Sequence, residues 1–102
     1  MVAVEFLASE IAAAVGGTLV GPDVVVAGAA IDSRLVRSGQ LFVAVVAERD
    51  GHDFVAAAAA SGAVAALTSR PVEAAVTSIV VPDTVAALSR LGALARQRLS
   101  GP

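Results

Sequence analysis

The chain has 102 residues, enough for one domain with a modest core, and 57% of them are hydrophobic while only 3% are aromatic. The net charge is −2 with seven arginines, no lysine and no cysteine, which excludes disulfides, thiolate metal sites and a clustered basic nucleic-acid footprint. The start, MVAVEFLASE, has no basic segment before its apolar residues, and VAAAAASGAVAAL at 13 residues is shorter than the roughly 20 a spanning helix needs, so neither a signal peptide nor a membrane partner is expected.

In chain order, FLASEIAAAVGG predicts a first helix with Leu7, Ile11 and Val15 on one face and a stop at Gly16-Gly17. TLVG reads as a short strand and Gly21-Pro22-Asp23 as a turn. VVVAGAAID predicts one strand of small and β-branched residues that ends in Asp32-Ser33-Arg34. LVRSGQ is a turn with Gly39 at a positive φ, and LFVAVV has the unbroken apolar character of a strand buried on both faces. A charged loop leads into a second helix, DFVAAAAASGA, which Gly62 ends. AVAALT and SIVV are further strands. Asp83 is placed to cap a last helix, whose apolar face is predicted at Val85, Leu88, Leu91, Ala95 and Leu99, with Arg90, Gln97 and Arg98 pointing away. Ser100-Gly101-Pro102 reads as a linker. Buried strands alternating with helices predict an α/β fold: a three-layer sandwich, its small sheet mostly parallel but mixed, with about three helices.

Two polar stretches follow strands, where open α/β sheets bind ligands. Asp32-Ser33-Arg34 combines an acceptor, a small hydroxyl and a forked cation, a set suited to a nucleobase edge, ribose or phosphate; an Asp-centred turn is the competing reading. Glu48 to Phe54, ERDGHDF, gathers five ionisable side chains, the chain's only histidine among them. Gly51 would let the backbone turn or approach a ligand, and the N–H groups of the following helix would face one. The competing reading makes Asp50 or Asp53 a helix cap, His52 a surface histidine and Phe54 a core anchor. A lone histidine is a poor metal site, and no catalytic group or metal ligand is expected. Neither a G-x-x-x-x-G-K-[ST] phosphate loop nor a G-x-G-x-x-G fingerprint is present. The residues themselves thus support a small binding module rather than a self-contained catalyst.

The run DSRLVRSGQLFVAVVAERDGHDFVAAAAASGAVAALTSR resembles the signature of the N-terminal domain of the Mur ligases, ATP-dependent amide-bond ligases of bacterial cell-wall synthesis. That pattern is Asp-Ser-Arg, a glycine turn, Leu-Phe-Val-Ala and a loop ending in Asp-Gly-His-Asp-Phe, followed by a helix with a small-residue end. The His-Asp-Phe form is most similar to the MurF type, which adds D-alanyl-D-alanine to UDP-N-acetylmuramoyl-tripeptide. The chain departs from the pattern at Ala47, where the family commonly has glycine, and has one residue fewer between Arg49 and Asp-Gly-His. The resemblance implies that residues 1–99 bind the uridine diphosphate (UDP) end of the precursor. It implies Ile31, Asp32, Ser33 and Arg34 at the uracil and ribose, and Glu48, Arg49, Asp50, Gly51 and His52 on a second wall. It also implies a cytoplasmic enzyme whose central and C-terminal domains, beyond a linker at 100–102, hold ATP and Mg²⁺, with no cofactor in this domain. The alternatives are the same domain of a MurE-type ligase, which adds the third amino acid, and a free-standing nucleotide-binding or interaction module.

Overall fold

A computed structural model describes residues 5–45, 50–72 and 76–100, with the side chains of 98–100 left aside. A five-stranded sheet has the order β2 (Thr18–Val20), β7 (Thr77–Val80), β6 (Ala65–Thr68), β5 (Leu41–Val43), β4 (Ala29–Ala30). β4 to β7 run parallel, in register Ala30 with Phe42, Val43 with Leu67 and Leu67 with Ile79, while β2 lies antiparallel on β7. The short β1 (Glu5–Leu7) and β3 (Val25–Ala27) form a separate antiparallel pair.

Strand alternation sends side chains to two cores. Leu41, Val43, Ala65, Leu67 and Ile79 meet Ile11, Ala12 and Val15 of α1 (Ala8–Val15) and Ala87 and Leu91 of α3 (Thr84–Ser100). Phe42, Ala44 and Ala66 meet Val55 and Ala58 of α2 (Val55–Ala60) on the opposite face. Helices on both faces make three layers, and β5 is buried on both sides, as LFVAVV predicted. Among the described residues no helix is long and apolar enough to cross a membrane.

The structure corrects several element predictions. Phe6 and Leu7 are strand, not helix: Phe6 is buried and Leu7 is 43% exposed, so α1 begins at Ala8, two residues later than its apolar spacing implied. Asp23 sets that start from a distance, accepting from the Ser9 N–H at 2.9 Å and the Ser9 hydroxyl at 2.7 Å. The single strand predicted over 24–32 is two, because Gly28 takes a φ of 91° that turns the chain from one sheet into the other. Gly39 has the expected positive φ, 87°. On α3, Val85 is 59% exposed and the inward stripe is Thr84, Ala87, Leu88 and Leu91. Asp83 caps that helix as expected, accepting from the N–H groups of Val85 and Ala86. Arg90 does not simply point away: its Nη1 donates to the Val15 carbonyl at the end of α1. Ser100, read as linker, is the last residue of α3, and Gly101 and Pro102 lie outside the described residues.

Candidate functional site

Because β4 to β7 are parallel, the segments leaving their carboxyl ends share one rim of the sheet. On it lie Ile31 to Arg34 after β4, Asp50 to His52 on the segment after β5, and Ser69-Arg70 after β6. The strands of both predicted loops are neighbours, and α2 packs against the turns of both.

After β4 the chain enters a 3-10 turn, Ser33–Leu35, capped by Asp32. The Asp32 Oδ1 accepts from the Arg34 N–H at 2.9 Å and from Arg34 Nε at 3.0 Å, and Oδ2 accepts from Nη2 at 2.8 Å. The Asp-centred turn of the competing reading is therefore present, closed by a two-pronged ion pair. These bonds, the side-chain ones foremost, lower the Asp32 pKa from 3.8 to about 2. The Arg34 side chain is 86% exposed, and Ile31 is exposed. The Ser33 hydroxyl is half-buried and has no hydrogen-bond partner among the described residues. A cleft of about 380 Å³ opens beside β4, walled by Ala29, Ala30, Ile31, Leu35 and Leu88, with Asp32 and Gln40 as its polar members.

The second loop behaves differently from its sequence reading. Glu48 and Arg49 lie outside the described residues. Asp50 caps a 3-10 turn, Gly51–Phe54, with its Oδ1 accepting from the His52 N–H at 3.0 Å. His52 is not a surface residue: its side chain is 1% exposed. Its Nδ1 lies 2.6 Å from Asp50 Oδ1, and its Nε2 accepts from the Ser69 backbone N–H at 2.9 Å, with the Ser69 hydroxyl at 3.2 Å. An Nε2 that accepts a backbone N–H carries no proton, so the pattern assigns the neutral Nδ1–H tautomer, donating to Asp50. The Ser–His–Asp order resembles a nucleophilic triad, but the Nε2 lone pair is already engaged by a backbone group that never gives up its proton, which makes the cluster a staple. Arg70 Nη2 completes it by donating to Asp50 Oδ2 at 2.7 Å. The His52 N–H, Arg70 and the imidazole, in that order of weight, hold the Asp50 carboxyl well below the usual carboxylate range.

The fold itself requires a glycine at position 51. A Cβ there would stand 2.7 Å from the Val45 nitrogen and 2.8 Å from its oxygen, where the loop folds back on β5's exit. Phe54 is half-buried against the α2 cluster.

Sequence reading missed Ser69 and Arg70. The signal was there: Thr68-Ser69-Arg70 follows a buried strand just as Asp32-Ser33-Arg34 does. Nothing in these residues fits a metal–nucleotide centre. The chain has no lysine to serve a phosphate loop, and among the described residues no three His, Asp or Glu side chains gather.

Comparison with known proteins agrees with this architecture. A model of the Mur ligase family, catalytic domain, matches residues 25–97. The UDP-N-acetylmuramoyl-tripeptide–D-alanyl-D-alanine ligase of Escherichia coli K12 is 38% identical over 92 residues, 89% of this chain and 20% of that protein. The UDP-N-acetylmuramoyl-L-alanyl-D-glutamate–2,6-diaminopimelate ligase of Gloeobacter violaceus is 45% identical over 74 residues, 69% of this chain and 15% of its own length. The crystal structure of MurF from Acinetobacter baumannii superposes with a TM-score of 0.85 at 31% identity, covering 97% of this chain and 22% of that one. The chain thus spans a fifth or less of the curated relatives just described, and by sequence match and fold alike it belongs to the Mur ligase family.

Proposed function

We propose that this chain is the N-terminal domain of a MurF-type ligase and that its rim binds the UDP end of UDP-N-acetylmuramoyl-tripeptide. The observation that carries this reading is the convergence of Ile31 to Arg34 and Asp50 to His52 at the carboxyl ends of the adjacent strands β4 and β5. The cleft beside β4 has the apolar walls and few polar groups that suit a flat base. Ser33, next in the chain to the cleft residue Asp32, has a hydroxyl without a partner among the described residues. Glu48, Arg49 and Gly51 stay in the proposal as the second wall, Gly51 by shaping the loop.

In the whole enzyme, a cytoplasmic ligase of peptidoglycan synthesis, the dipeptide D-alanyl-D-alanine is joined to the precursor's terminal carboxylate. ATP and Mg²⁺ supply the activation of that carboxylate in the central and C-terminal domains. This domain contributes by fixing a remote part of the substrate, so that the reacting end is held in the neighbouring site. Its rim needs no group that gains or loses a proton.

Calorimetric titration of Ser33→Ala with UDP tests the assignment. One lost hydrogen bond of about 1 kcal/mol weakens binding roughly fivefold with the fold intact. Unchanged affinity would remove Ser33 from the site. A second reading, the MurE-type ligase, rests on the match to the diaminopimelate-adding relative. Full-length enzyme that accepts diaminopimelate and refuses D-alanyl-D-alanine would establish it. A free-standing module would be established by a native protein that lacks the further ligase domains and still binds UDP.

A further inference from the structure

We infer that Arg70, held in place by Asp50 and the buried His52, is the residue of this rim that contacts the anionic diphosphate of the ligand. The inference rests on the UDP reading above and adds a third wall to it. The hydrogen bonds form a closed ring: the Ser69 N–H to His52, His52 to Asp50, and Asp50 to Arg70, back on the segment where the ring began. It ties the loop after β5 to the exit of β6.

Two arginines with described positions stand on the rim, and their states differ. Arg34 lays both Nε and Nη2 on the carboxylate of its near neighbour Asp32. Its fork is occupied, and the side chain stands 86% in solvent. Arg70 gives Asp50 only Nη2, and among the described residues Nε and Nη1 have no partner. Its side chain is 50% exposed, and the Nη2 bond to Asp50 fixes the guanidinium in place. A half-exposed ion pair adds at most about 1 kcal/mol to stability. The pair itself adds little, while the His52 staple, besides joining two loops, fixes where the Asp50 carboxylate and with it Arg70 stand. A preset guanidinium with donors uncommitted among the described residues suits a diphosphate, since the side chain is ordered before the ligand arrives. His52 and Asp50 are positioning residues in this arrangement.

The test compares uridine with UDP on the 102-residue chain and on Arg70→Ala, by NMR-followed titration. The wild type prefers UDP, and Arg70→Ala loses about tenfold of that preference while uridine affinity is unchanged, as expected for one charge-assisted contact. Arg70→Gln behaves alike and guards against a folding effect of the smaller side chain. Arg96→Ala, which removes an equal charge from α3, keeps the preference. An intact preference in Arg70→Ala, or equal losses for uridine and UDP, would overturn the inference while leaving the UDP reading standing. A wild type that binds neither ligand would overturn both.

Discussion

At the scale of single residues, His52 is the position whose environment most exceeds its sequence. It lies in a string of charged residues and reads as solvated, yet its imidazole joins two loops. Truncation leaves the Ser69 N–H without its acceptor and opens a cavity beneath Asp50. His52→Ala is therefore expected to destabilise the domain by about 2–4 kcal/mol, measured by urea unfolding; a loss under 0.5 kcal/mol, the range of a neutral surface change, would restore the surface reading. Gly51→Ala is expected to cost about 1–3 kcal/mol, because the added methyl meets backbone that has no room to yield.

The two carboxylates give the rim a defined acid limit. Both have folded-state pKa values below the unfolded one, so the stability they contribute is complete above the ordinary carboxylate range and is lost as pH falls through their folded values. For Asp32 that window runs from 3.8 down to about 2, and Asp50 is shifted in the same direction. Side-chain carboxyl shifts followed by NMR between neutral pH and pH 2 should show both Asp32 and Asp50 titrating below the ordinary carboxylates. Asp50 titrating with the ordinary carboxylates would contradict the ring.

At the scale of elements, α3 depends on its cap. Asp83→Ala removes the acceptor for two N–H groups and is expected to lower stability by about 1 kcal/mol, with Asp83→Asn close to wild type. Asp83 was legible because an Asp after a proline and before an apolar period is a strong start signal. The strands β5 and β6 were legible for a similar reason: an unbroken apolar run of strand length has few other homes. What failed was phase. Leu7 fits a helical period with Ile11 and Val15, but Asp23, which is distant in sequence, decides where the helix starts. Val85 fits the period of α3, but the polar Thr84 takes the inward place because the stripe is set by Ala87 and Leu91. Gly28 divides a strand through a backbone angle that no side-chain pattern announces. Of the site, the polar trio after β4 and the loop after β5 could be picked out because chemistry stands out in an alanine-rich chain. Ser69-Arg70 carries the same signal, which sequence reading missed, whereas the burial of His52 could not be read, since it depends on β6 lying beside β5.

At the scale of the whole molecule, the parallel sheet gathers segments distant in sequence on one rim, and the helices on both faces hold that rim fixed. The arrangement suits a domain whose task is to grip one end of a long substrate and leave its other end free. The proposed UDP site uses no proton transfer, so affinity for UDP should change little between pH 6 and 8, apart from the phosphate's own titration near pH 6.

The most direct test of a single UDP pocket is a backbone amide titration of the chain with UDP, with ATP as the comparison. Saturable shifts at Ser33, Arg34, Asp50 to His52 and Ser69-Arg70, with one shared dissociation constant and none from ATP, are the predicted result. Shifts confined to one loop, or none at millimolar UDP, would contradict the claim that these strand exits form one site.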